Sequence, residues 1–91
     1  MTDMKDADLE RQLKALANRR RFAIVRFLRK KKEAHVGSIA EEISLSFKAT
    51  SRHLSRLEAA GLIDKEQRSA NVFYRLADNM PHTLRAILPI L

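Results

Sequence analysis

The sequence predicts a mainly α-helical fold with one small β-hairpin. Apolar residues recur at helical spacing in five stretches. Strict alternation replaces that spacing only between Ile63 and Leu76. Two glycines and two prolines in 91 residues are too few for the many turns of an all-β chain. A chain of this length makes one domain, spanning 1–91, with a modest core.

The elements follow in order. Met1 to Lys5 reads as frayed. Asp6 suits an N-cap, and Leu9, Leu13 and Leu16 then repeat on one face while Glu10, Arg11 and Lys14 face water. Asn18 suits the N-cap of a second helix. There Phe22, Ile24, Val25, Phe27 and Leu28 form a face wide enough for a central, largely buried helix. Arg29-Lys30-Lys31-Lys32 closes it, either opposing the helix dipole or contacting phosphate. Val36, Ile39, Ala40 and Ile43 define a short third helix. Its start is open: Ser38 and Glu41 have capping-box spacing, but the periodicity wants Val36 inside the helix.

After Ser44-Leu45-Ser46 comes a fourth helix, capped by Ser46 and stopped by Gly61. Phe47, Thr50, Leu54, Leu57 and Ala60 form a narrow stripe expected to be buried. The opposite face carries Lys48, Ser51, Arg52, Ser55 and Arg56, and Glu58 is the only acid in the helix. Two helices joined by so short a turn are a helix-turn-helix by spacing. Ile63 to Arg68 and Val72 to Leu76 then alternate as two strands around Ser69-Ala70-Asn71, so a hairpin wing follows directly. Alternation assigns Tyr74 to the core and Phe73 to the wing base or a dimer contact. Pro81 opens a last helix with Leu84, Ile87, Leu88 and Leu91 on one face, and Pro89 should kink its final turn.

The function classes narrow by composition. Eighteen basic against 11 acidic residues leave a formal charge of +7, which suits an anionic partner, either nucleic acid or an acidic membrane surface. The absence of cysteine excludes disulfides, thiolate metal sites and thiol redox sensing. Apolar runs are too short to span a bilayer, and Asp3, Asp6 and Asp8 stand where a signal peptide would be basic. A cytoplasmic location is the expectation. His35, His53 and His82 are far apart and fit no triad, and no glycine-rich phosphate loop exists, so neither an enzyme nor a cofactor is expected. A helix with a cationic, hydrogen-bonding face suits the DNA major groove. The candidate DNA-contacting residues are Lys48, Ser51, Arg52, Ser55 and Arg56, with His53 at the rim and Gln67, Arg68 and Asn71 on the wing.

The stretches Leu13 to Leu28 (LKALANRRRFAIVRFL), Val36 to Ile43 (VGSIAEEI), Ser51 to Ile63 (SRHLSRLEAAGLI) and Val72 to Leu76 (VFYRL), in this order, resemble the ArsR/SmtB family of small winged-helix repressors. The resemblance runs from about Leu9 to Leu91. It implies a homodimeric DNA-binding transcription regulator, usually a repressor, dimerising through its first and last helices and released from its operator by an effector. The metal-sensing branches place cysteines on the helix before the turn, where this chain has Ser38-Ile39-Ala40-Glu41-Glu42. Another branch uses acids and histidines on the last helix, and only Asp78 and His82 fall near that pattern, with Arg85 one turn on. No metal is therefore expected, and the effector is unidentified. The family's usual glycines in the helix-turn-helix turn and at the wing tip stand here as Ser44 and Ser69, which suggests altered turn shapes.

A homodimer is also expected from apolar surface. Leu9, Leu13 and Leu16 on the first helix and Leu84, Ile87, Leu88, Ile90 and Leu91 near the end of the sequence exceed what one small domain hides. Two alternatives remain: a winged helix used for protein contact, and non-specific binding of RNA or DNA. A lesser one is metal response through the last-helix histidine and acid.

Overall fold

The computed structural model describes residues 5–91, so the expectation of fraying at 1–4 lies outside the described residues. The order is α1 (Asp6–Leu16), α2 (Arg19–Lys31), β1 (Ala34–His35), α3 (Val36–Glu42), α4 (Phe47–Ala59), β2 (Ile63–Arg68), β3 (Asn71–Leu76), α5 (His82–Ile87) and a 3₁₀ turn, Leu88–Ile90. The three strands form one antiparallel sheet ordered β1-β3-β2. This is a winged helix-turn-helix, with one more strand than the sequence predicts. Strand β1 is only two residues long and pairs Ala34 with Tyr74 and His35 with Phe73, so no alternation announces it.

The helix boundaries follow from their caps. Asn18 caps α2, its side chain accepting from Arg21 N at 3.1 Å. Ser46 caps α4, accepting from Ala49 N at 3.1 Å. Lys5, not Asp6, holds the N-cap position of α1 and makes no side-chain cap bond. Asp6 and Asp8 instead lie in the first turn, where a carboxylate still opposes the dipole. Helix α3 begins at Val36, and its cap is His35, whose Nδ1 accepts from Ser38 N at 3.4 Å. Ser38 is therefore inside the helix. Gly37 makes room for that ring: an added Cβ would lie 3.1 Å from His35 Cε1.

Gly61 ends α4 at φ 74°, with Leu62 N donating to Leu57 O at 3.0 Å and Gly61 N to Glu58 O at 2.9 Å. The turn after α3 repeats this geometry with serine. Ser44 sits at φ 53°, Leu45 N donates to Ala40 O at 3.0 Å, and Ser44 N donates to Glu41 O at 3.3 Å. Arg20 on α2 donates to Ile43 O at 2.6 Å and ties down the same turn. Ser69 at the wing tip has φ 55°. Both serines thus take the left-handed conformation that glycine adopts at no steric cost. Pro89 acts as expected: α5 stops at Ile87 and the chain continues as the 3₁₀ turn.

The core gathers Ile24, Val25 and Leu28 of α2, Ile39 and Ile43, Leu54 and Leu57 of α4, and Leu62 and Ile63 entering the wing. Leu16 and Leu84 belong to it as well, at 4% and 0% exposure. That corrects their assignment to a dimer face, since both are consumed inside one chain. Helix α5 packs on α1, joined by a buried hydrogen bond from Thr83 Oγ1 to Gln12 Oε1 at 2.6 Å. Ile87, Leu88 and Leu91 are half-buried against the core, while Leu9, Leu13 and Ile90 are exposed. Arg26 donates to Leu91 O at 2.9 Å and Arg29 to Leu88 O, so two cations of α2 pin the last turn. No helix among the described residues is long and apolar enough to cross a membrane.

Candidate nucleic-acid interface

Helix α4 presents its candidate face as one surface. Its cap sits at the turn, its stripe of Thr50, Leu54, Leu57 and Ala60 is buried, and Lys48, Arg52, Ser55 and Arg56 are exposed. Lys48, Ser51, Arg52, Ser55 and Arg56 line one broad, shallow surface together with Phe47. Phe47 corrects the sequence expectation. It is 62% exposed, because the first turn of α4 overhangs the core and the stripe is covered only from Thr50 onward. Lys48, Arg52 and Arg56 have no carboxylate partner among the described residues. The one acid of the helix, Glu58, faces the wing and pairs with Lys65 at 3.6 Å.

His53 does not join that surface. It is half-buried behind the helix, with Nδ1 3.0 Å from Nη1 of Arg21. An arginine can only donate, so Nδ1 accepts and the ring proton sits on Nε2. Burial, then the cations of Arg21, Arg20 and Arg56, push the His53 pKa below its ordinary value and keep the ring neutral. Arg21, itself buried, also donates to Ala15 O and to Lys14 O, the latter at 3.3 Å. One guanidinium therefore fixes the end of α1 and the back of α4. Its place in the Arg19-Arg20-Arg21 run gives no hint of this, since the neighbours are exposed.

The wing is built differently. Gln67, Arg68 and Asn71 are exposed at its tip, as expected. Gln67 folds back to donate to Ser69 O at 3.5 Å. Arg68, however, is committed to protein. It makes a two-pronged pair with Glu33, at 2.9 and 2.6 Å, and a second contact with Glu66 at 3.0 Å. Its guanidinium lies 4.7 Å from the centre of the Phe73 ring. The two carboxylates raise the Arg68 pKa, and the hydrogen bonds from Arg68 lower those of Glu33 and Glu66. Phe73 packs edge-on to His35 with ring centres 6.0 Å apart, at the wing base, while Tyr74 packs on the core. Arg75 is likewise held, by Glu66 at 3.3 Å and Asp78 at 3.7 Å. Among the described residues, no three histidine or acidic side chains cluster as metal ligands would.

Fold and surface together define a class: a winged helix-turn-helix whose second helix exposes a row of cations. The model for bacterial regulatory proteins of the arsR family matches residues 18–65, and the chain belongs to that family. It is 37% identical over 62 residues to nodulation protein NolR of Rhizobium meliloti. That match takes in 68% of this chain, which spans only about half (50%) of that relative's length. Reduced HlyU from Vibrio cholerae superposes with a TM-score of 0.78 at 33% identity, covering 93% of this chain and 85% of that one. The homodimeric winged helix-turn-helix DNA-binding domain of a possible ArsR-family regulator from Mycobacterium bovis gives 0.78 at 25% identity, covering 99% and 85%.

Proposed function

We propose that this chain binds double-stranded DNA as a homodimer and regulates transcription in the cytoplasm, as a repressor wherever its site overlaps a promoter. The observation that supports this is the outer face of α4, where Lys48, Arg52 and Arg56 stand beside Ser51 and Ser55 with no acid paired to them among the described residues. Such a set matches the hydrogen-bonding edges of bases and the flanking phosphates. Gln67 and Asn71 bring the wing to the minor groove or the backbone. The dimer face consists of Leu9 and Leu13 on α1 with Ile87, Leu88, Ile90 and Leu91. All of these but Leu88, with Ala17, Phe22 and Arg26, border adjoining apolar hollows on one side of the molecule. Twofold pairing there would set two copies of α4 about 34 Å apart, one turn of DNA. The chain acts as a single DNA-binding unit without a metal or cofactor, and the released form answers to an effector still to be identified.

Selection of bound duplexes from a random-sequence library tests the reading. The expected result is a palindromic consensus with half-sites one helical turn apart, bound with an affinity that falls steeply with salt. Recovery of unenriched sequence would mean non-specific binding, and no recovery at all would leave a winged helix used for protein contact.

A further inference from the structure

Phe47 is the one large aromatic side chain that α4 leaves in water. It occupies the first position of the helix, directly after the Ser46 cap, and is 62% exposed. Nothing in the fold requires an aromatic there, since the helix is already capped by Ser46 and fastened by Thr50, Leu54 and Leu57 at 0% exposure. Exposing a ring of this size forfeits the stabilisation that burial would give, so the position favours a partner that covers it. Its surroundings say which partner. Lys48 and Arg52 flank it on the same shallow surface, with Ser51 between them. A protein or lipid partner would meet an apolar patch one residue wide ringed by cations. A DNA duplex meets an arrangement that suits it, with phosphates for the cations and a base edge for the ring.

We propose that Phe47 is a specificity-determining residue that reads the 5-methyl group of a thymine in each half-site. This rests on the DNA-binding reading above. The N-terminal turn of a recognition helix is the part that approaches base edges. Of the groups displayed in the major groove, only the thymine methyl is apolar, and phenylalanine is among the side chains that contact it. Cytosine offers an amino donor at the neighbouring position and adenine and guanine offer polar atoms, each of which would lose water against the ring without gaining a hydrogen bond. The polar residues one turn further along α4 cannot supply this discrimination, because a methyl group has nothing for them to bond. Phe47 would thus fix one A·T pair and its orientation, while Arg52 and Lys48 hold register and the adjoining bases.

The test uses the full chain and the consensus duplex recovered by the library selection. Each thymine is replaced in turn by deoxyuridine, which removes the methyl and changes no hydrogen-bonding group. At one symmetry-related thymine pair the replacement is expected to weaken binding about fourfold per half-site, the value of one buried methyl group. At every other thymine it should change little. Phe47→Ala is expected to bind the thymine duplex about tenfold more weakly per half-site and to bind thymine and deoxyuridine duplexes alike. Phe47→Leu, still apolar, should keep part of the discrimination. Because Phe47 is exposed, both variants are expected to retain the thermal midpoint of the parent. Equal binding of all deoxyuridine duplexes by the parent overturns the proposal while leaving the DNA-binding reading intact. So does discrimination that survives Phe47→Ala. Failure of the selection to yield any consensus overturns both.

Discussion

Helix α4 and the β2–β3 wing both carry arginines toward the same expected partner, yet the chain treats them in opposite ways. On α4, Arg52 and Arg56 point outward with no carboxylate paired to them among the described residues, and the helix is held from behind by a buried arginine acting on His53. On the wing, Arg68 and Arg75 are neutralised by Glu33, Glu66 and Asp78, and the Glu33 pair adds to the β1–β3 ladder that joins the hairpin to the segment after α2. Charge alone therefore does not mark an interface. A cation spent on protein gives up much of its attraction for phosphate, and a cation left free costs the fold a partner. The comparison predicts that α4 supplies most of the binding and the wing mainly supplies position.

The largest effect that would break this contrast lies behind α4. Arg21→Met keeps an apolar stem but removes the guanidinium, leaving the carbonyls of Ala15 and Lys14 and Nδ1 of His53 without their donor. Unsatisfied buried acceptors cost about 1–3 kcal/mol each, with partial relief from water, so a loss of about 2–4 kcal/mol is expected in urea denaturation. A loss below about 1 kcal/mol would show that α4 is fastened by its apolar stripe alone. Next in size is Arg52→Ala. It should cost about 1–3 kcal/mol of binding and relax preference at one base position, with stability unchanged. Unaltered affinity and preference after Arg52→Ala together with Lys48→Ala would remove α4 as the reading element.

Acid separates the two regions further. Because burial and neighbouring cations depress the His53 pKa in the folded chain, the unfolded chain takes up that proton first as pH falls. The stabilisation from neutral His53 is complete above the ordinary histidine value of about 6.5 and is lost as pH drops through the depressed folded-state pKa. Glu33 and Glu66 also have lowered pKa values, so their contribution is complete above about 4.5 and is lost further into acid. Denaturation followed from pH 7.5 downward should therefore weaken first through His53, and His53→Gln, which keeps an acceptor, should flatten that first limb. An unchanged first limb in His53→Gln would assign it to another group.

These contrasts also show what a sequence can and cannot disclose. Caps and stops are local, so Asn18, Ser46 and Gly61 were readable from their neighbours, and they bound α2 and α4. The hairpin was readable from alternation. Phe47 departs from the expected stripe because helical spacing reports which residues share a stripe, not how far the rest of the fold extends beneath it. Leu16 and Leu84 were placed at a dimer face for the same reason: an apolar face says that something covers it, and here α1 and α5 cover each other. Arg21 with His53 and Glu33 with Arg68 lie 32 and 35 residues apart. Such pairs exist only once the chain has folded, and no spacing rule reaches them. Arg68, expected on the wing as a DNA contact, is for that reason paired unannounced with Glu33 and Glu66.

The smallest expected effect tests the wing directly. Arg68→Ala is ambiguous, since it deletes a cation and also uncovers two carboxylates, Glu33 and Glu66. Glu33→Gln is cleaner. It removes one of the two acids that hold Arg68, keeps a side chain of the same length that can still accept a hydrogen bond, and makes the chain one unit more positive. The pair is exposed, so little stability is at stake. If Arg68 is neutralised in place, Glu33→Gln should strengthen binding to every duplex by a similar few-fold factor and steepen the salt dependence by up to about one unit, without altering base preference. The same change sought on α4 has no counterpart, because no acid among the described residues pairs with Arg52 or Arg56. Unchanged affinity and slope would mean that the wing lies too far from the phosphates for its charge to matter. A change confined to one base position would mean that the wing reads sequence, and the division of labour between the two regions would fail.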